Sequence, residues 1–217
     1  MNKKLLAGLL ASATVLGLSV MVGTSADAAP VDGAETGVGI GFSDHGPGVT
    51  PGPLEIKWAP LKFDFGSTNT VNTAAATFNE TTGSKKYVVI SDTRGGASDA
   101  WELYASLGNM MSGADQLTGA QLKFDVTEVG YQGTAAPEAA GSIVAVDPLN
   151  TSAVTAANFT LSQGAAATKV FEDAGPGTYQ GLSGMEMDNI QLDVPANAAD
   201  SGKQYSGKVV WSLDNTI

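Results

Sequence analysis

Short apolar runs with a period of two mark this chain, and they commit it to strands. Leu54, Ile56 and Trp58 alternate with Glu55 and Lys57. Leu122, Phe124 and Val126 alternate with Lys123, Asp125 and Thr127, and Ile190, Leu192 and Val194 with Gln191 and Asp193. Trp101, Leu103, Ala105 and Leu107 repeat the pattern mid-chain, as do Val209, Trp211 and Leu213 near the C-terminus. Successive side chains of a strand point to opposite faces, so each run describes a strand with one buried face. Phe63 and Phe65 flank Asp64 in a shorter version, and Tyr87–Ile90 is a continuous apolar run ending at Ser91-Asp92. Gly occurs 27 times and falls mainly between the runs, where turns require it. Helical signals are weak, because the Ala-rich stretches at 135–140 and 153–157 are broken or flanked by Gly, Pro, Thr and Ser. The pattern predicts an all-β fold: an antiparallel β-sandwich-like single domain with long loops, one of them over 130–141.

The N-terminus reads differently. Lys3 and Lys4 precede an apolar run from Leu5 to Val22, and Ala26-Asp27-Ala28 has the small-x-small form of a cleavage site. Residues 1–28 are therefore expected to be a cleaved export signal. Removing 28 of 217 residues leaves 189, enough for one domain with a sizeable core. No second long apolar segment follows, so no membrane span is expected in the mature chain. From 29 to 53 the chain is rich in Gly, Pro and small residues, which predicts a flexible or edge-lying lead. Its Gly37-Val38-Gly39-Ile40-Gly41 run lacks the spacing and the strand-then-helix context of a nucleotide loop. The domain proper is expected over 54–217.

Cysteine is absent. An exported domain of this kind holds together by burial alone, without the disulfides common in that compartment. The formal charge of −11 becomes −12 once Lys3, Lys4 and Asp27 leave with the signal. Nucleic acid is excluded as a partner, since binding it relies on Lys and Arg.

Catalytic chemistry finds few residues to work with. His45 is the single histidine, in the Gly/Pro-rich lead, so a nucleophile–base pair or a zinc site has almost no material. Asp92, Asp99 and Asp115 lie near predicted loops without calcium-loop spacing. Glycoside hydrolysis needs two carboxylates that can be far apart in sequence, and no spacing singles out a pair. No cofactor, metal or enzymatic activity is expected.

One tripeptide form occurs twice: Trp101-Glu102-Leu103 and Trp211-Ser212-Leu213. In a strand, each Trp shares a face with its Leu. Such a face usually belongs to a core, but an exposed Trp strip also stacks on sugars or anchors a protein partner. The segment from Asp92 to Ala100 is a second candidate. It joins an apolar strand to a Trp strand through a polar Gly-rich loop, and Asp92 and Arg94 can pair within it. Trp101, Leu103, Trp211, Leu213, Asp92 and Arg94 are thus the candidate binding residues.

The order of these elements resembles the WxL family of surface proteins from low-GC Gram-positive bacteria. An export signal and a Gly/Pro-rich lead come first. Phe63-Asp64-Phe65-Gly66, Asp92-Thr93-Arg94-Gly95, the first W-x-L, Leu117-Thr118-Gly119-Ala120 and the closing strand Tyr205–Leu213 then follow in sequence. Val210 replaces the Thr usual before the second Trp, and the Pro that often follows the distal motif is missing. The resemblance implies noncovalent attachment to the cell wall, by binding peptidoglycan from outside without a sortase anchor. It also implies WxL-interacting surface proteins as partners, and no catalysis. On this reading the protein is extracellular, on the cell-wall surface. The alternative is a structural subunit of a surface complex, held to the wall indirectly through a protein partner.

Overall fold

The computed structural model describes residues 30–38, 45–47, 52–71, 73–95, 100–146, 154–174 and 179–215. The expected export signal lies outside them, as do residues 96–99 of the loop after Asp92. No helix occurs among the described residues. In chain order the strands are β1 (Pro30–Val38), β2 (His45–Pro47), β3 (Leu54–Pro60), β4 (Lys62–Phe63), β5 (Ala76–Asn79), β6 (Lys86–Asp92), β7 (Trp101–Leu107) and β8 (Met111–Ser112). They continue as β9 (Asp115–Gln116), β10 (Gln121–Tyr131), β11 (Ile143–Val144), β12 (Val154–Ala156), β13 (Phe159–Ser162), β14 (Thr168–Asp173), β15 (Gly181–Val194) and β16 (Gly207–Asn215).

One sheet has the order β12-β14-β7-β16-β1-β4, and the other β11-β10-β15-β6-β3-β2, with β13 added on β10 and β5 on β15. β8 and β9 form a separate hairpin. Among the described residues the named strands pair antiparallel except β1 with β4, and an isolated bridge between Leu107 and Gln163 is also parallel. The two sheets share one core, in which Ile56, Val88, Ile90 and Met185 of the larger sheet meet Leu103, Leu107, Val170 and Val209 of the smaller. The expected all-β architecture is therefore present, and the alternating runs become strands with alternating burial, as in β7.

Three elements depart from simple alternation, each for a local reason. The run at Ile190–Val194 is the end of the longer β15, whose upstream core residues are Met185 and Met187. Odd and even positions both face the core because a bulge shifts the register opposite Lys123 and Asp125. Asn189 takes φ 45° there, a left-handed value that Asn tolerates. β6 is buried along its whole length because both of its faces are covered. Outside it, Tyr131 donates its hydroxyl hydrogen to the Ala135 carbonyl and accepts the Trp58 indole N–H at 3.0 Å. These bonds fold the 132–142 segment over the sheet. Tyr87 on that face titrates high, at about 12, chiefly through burial and then through Glu186.

The third departure is the lead. Composition points to a flexible or edge-lying segment over 29–53; within it Pro30–Val38 is β1, paired with β16 along its length and with the short edge strand β4 only at Gly37 and Val38. Besides backbone hydrogen bonds, β1 gives the sheet a buried hydroxyl. That hydroxyl belongs to Thr36, which is fully buried. It accepts the Trp211 indole N–H at 2.6 Å and donates to the Pro60 carbonyl at 2.5 Å. The lead thus closes over the second W-x-L strand.

Thr36→Val is expected to leave the Trp211 indole N–H and the Pro60 carbonyl without partners. The expected loss is about 1–3 kcal/mol in urea unfolding, and Thr36→Ser should restore most of it. Glu128 offers a pH test. Its Oε1 is buried without a hydrogen-bond partner, and burial raises its pKa above the ordinary value. Folding therefore favours the protonated form, and stability is lost as pH rises through the folded-state pKa. Glu128→Gln should melt above the parent at neutral pH, and the gap should close below the ordinary glutamate value of 4.5. Melting curves across that range check the sign.

Candidate functional site

The antiparallel register of β7 and β16 sets Leu103 opposite Leu213, Ala105 opposite Trp211 and Trp101 opposite Asn215. The two tripeptides therefore lie side by side on one sheet face, with their Trp residues on opposite sides of the central Leu pair. All four side chains are buried, at 0% exposure for Trp101, Leu103 and Leu213 and 1% for Trp211. Trp101 packs edge-on against Phe171 at a ring-centroid distance of 5.0 Å. The middle residues turn outward, where Glu102 accepts the Tyr104 hydroxyl hydrogen and pairs with Lys169.

Asp92 and Arg94 form a clamp at the end of the sandwich where β7 begins. The Arg94 guanidinium donates to both Asp92 carboxylate oxygens, Nε to Oδ1 at 3.0 Å and Nη2 to Oδ2 at 2.7 Å. It also donates to the Asn215 side-chain oxygen and, at 3.3 Å, to the Ala100 carbonyl. The end of β6 is thereby tied to the end of β16 and the start of β7, across the two sheets. Asp92 is 2% exposed and Arg94 12%, so the pair faces inward.

The opposite end of the sandwich carries a groove of about 380 Å³. That lies within the range of small-ligand sites. One wall is the Phe63-Asp64-Phe65-Gly66 turn and the chain following it. The other is the 195–206 segment, and Phe78, Leu192 and Val194 lie between. The turn is locked by Asp64. Its carboxylate accepts the Gly66 N–H at 2.8 Å and pairs with Lys62 at 2.5 Å, and Lys62 holds its pKa below the ordinary value. Phe63 drops into the core against Phe124, while Phe65 turns to the groove. On the far wall, Gly119 has φ 77°. A Cβ there would come within 3.1 Å of Pro195, so the Leu117–Ala120 element braces this wall only as glycine allows. Lys203 pairs with Asp115 at 2.5 Å and Asp200 at 3.0 Å, which raises its pKa and links the β8–β9 hairpin to the rim. Tyr205 accepts the Asp200 N–H at 3.1 Å.

Sequence reading did not identify this groove, although its motifs surround it. Phe65, Leu117 and Tyr205 each belong to an element quoted above, but they lie far apart in the chain and show no shared spacing. Among the described residues no group of His, Cys, Asp and Glu is placed to hold a metal ion. No helix there is long and apolar enough to cross a membrane.

A family model described as WxL domain surface cell wall-binding matches residues 23–216. Comparison with curated proteins and with solved structures gave no match.

The clamp predicts a stability defect. Asp92→Ala removes the buried carboxylate that takes two of the guanidinium's hydrogen bonds, with an expected loss of about 3–5 kcal/mol in chemical unfolding. Arg94→Lys should rescue little, since an ammonium cannot span the same acceptors.

Proposed function

This chain belongs to the WxL domain family of surface cell wall-binding proteins, and we propose that it is exported, loses residues 1–28, and attaches noncovalently to peptidoglycan. The family is a binding family and not a catalytic one. One observation carries the reading furthest: the match spans 23–216, and the ordered elements inside that span build a concave site at one end of the sandwich. In this reading the W-x-L residues and the Asp92–Arg94 clamp serve attachment by setting the strands, and the groove makes the contact. Trp101, Leu103, Trp211 and Leu213 support this division because their side chains are already enclosed by the protein.

Charge sets the terms of attachment. The mature chain is at −12 after loss of Lys3, Lys4 and Asp27, and Gram-positive walls carry anionic polymers. Long-range electrostatics is repulsive at neutral pH, so contact rests on apolar burial, stacking and hydrogen bonds. Salt screens that repulsion within about 10 Å at 0.1 M.

Purified, protein-free peptidoglycan should retain the pure mature protein, and retention should hold or rise with added salt and with falling pH. A steep loss in salt at neutral pH would contradict the charge argument. Retention on native walls but not on protein-free peptidoglycan would instead make the protein a subunit held through a protein partner.

A further inference from the structure

We propose that the groove between the Asp64–Gly66 turn and the 195–206 segment binds the neutral, N-acetylated sugar backbone of the wall and not its charged peptides. This rests on the wall-attachment reading above and names the ligand class for that site.

The charges on the lining are the first warrant. Among the described residues, its charged side chains are Asp64, Asp200 and Lys203. Each already has an opposite partner within the protein: Lys62 for Asp64, and Lys203 for Asp200, with Asp115 as a second partner of Lys203. Lys203 is shared by two carboxylates, so this cluster is net negative: a ligand carboxylate is repelled there, and a ligand ammonium would gain little from Asp200, whose side chain is 65% exposed and already paired. A neutral ligand meets no such penalty.

The shape and chemistry of the walls are the second warrant. Phe65, Phe78 and Tyr205 present aromatic surface, and Leu192, Val194 and Pro195 add aliphatic surface. The C–H faces of a pyranose ring pack on such surface, as amphipathic ligands do on aromatic rings. Uncharged polar groups from Thr70, Gln204 and Ser206 also line the site. They supply both donors and acceptors, as hydroxyl and acetamido groups require. Val71 is 42% exposed and lies on this concave lining, where burial by a ligand would gain apolar contact.

Rigidity is the third. Asn69 Nδ2 donates to the Phe65 carbonyl at 2.6 Å, and Met111 and Ser206 exchange backbone hydrogen bonds at 2.7 and 2.9 Å. Both walls are therefore held in place before any ligand arrives, which limits the ordering cost of binding.

The test titrates isotope-labelled mature protein with a soluble β-1,4-linked N-acetylglucosamine oligomer. A parallel titration uses a short wall-type peptide with free amine and carboxylates. Sugar-induced amide shifts are expected at Thr70, Phe78, Gln204 and Tyr205, with little response to the peptide. Val71→Asp, an exposed position, should weaken sugar binding roughly tenfold or more while leaving the unfolding midpoint unchanged. Gln204→Ala should weaken it less and serves as a second variant. Retention on peptidoglycan that V71D leaves intact and the sugar does not compete would overturn the proposal while sparing wall attachment. Groove shifts caused by the peptide alone would overturn it too. Failure of the parent protein to bind protein-free peptidoglycan would instead remove the reading on which the proposal rests.

Discussion

The pairing of β7 with β16 is the contact on which the fold depends. It joins residues 101–107 to residues 207–215, and β1 then joins the N-terminal lead to the same strand. Such long-range pairing requires closing large loops before any contact is made, at an entropic cost that grows slowly with loop length. No disulfide offsets that cost here. The offset comes from a sheet face on which two Trp and two Leu are buried together. The W-x-L repetition follows physically: Leu opposite Leu, with Trp on either side, fills this face almost symmetrically. Ala105 opposite Trp211 leaves room for the larger ring.

Thr36 extends the same constraint to the chain's start. A buried indole N–H needs an acceptor, and the second Trp finds one on β1. The first Trp has none among the described residues, and its Nε1 is buried without a partner. The two tripeptides are therefore equivalent in packing and unequal in polar satisfaction. A hydroxyl carried by an otherwise unremarkable lead segment makes the difference.

Electrostatics separates what holds the domain from what the domain holds. Lysines are few, and several are engaged with carboxylates of the same chain: Lys62, Lys85, Lys123, Lys169, Lys203 and Lys208. Exposed pairs of this kind contribute little each to stability. Their collective effect is to leave a surface whose uncompensated charge is negative and a groove whose charged side chains each have a partner within the chain, Lys203 being shared by two carboxylates.

Strand alternation at β3, β7, β10 and β16 was legible in the sequence because one side-chain face per strand is apolar, and period two records that directly. The shared face of Trp and Leu followed from the same periodicity, and the order of motifs carried the family. β1 was not legible as a strand, since its sequence is rich in Gly and small residues and carries no alternating apolar run. The bulge in β15 was hidden for a related reason: one extra residue moves the core positions from odd to even and breaks the pattern. The groove was the least legible element, because Phe65, Phe78, Leu192 and Tyr205 come together only when two sheets and three loops close on one another. Sequence alone thus determined an all-β chain in which each W-x-L pair shares one strand face, since side chains alternate along a strand, while the burial of that face was decided by the tertiary structure. Tertiary structure alone decided where the groove lies, since a concave surface is a property of distant segments meeting and leaves no period in any one of them.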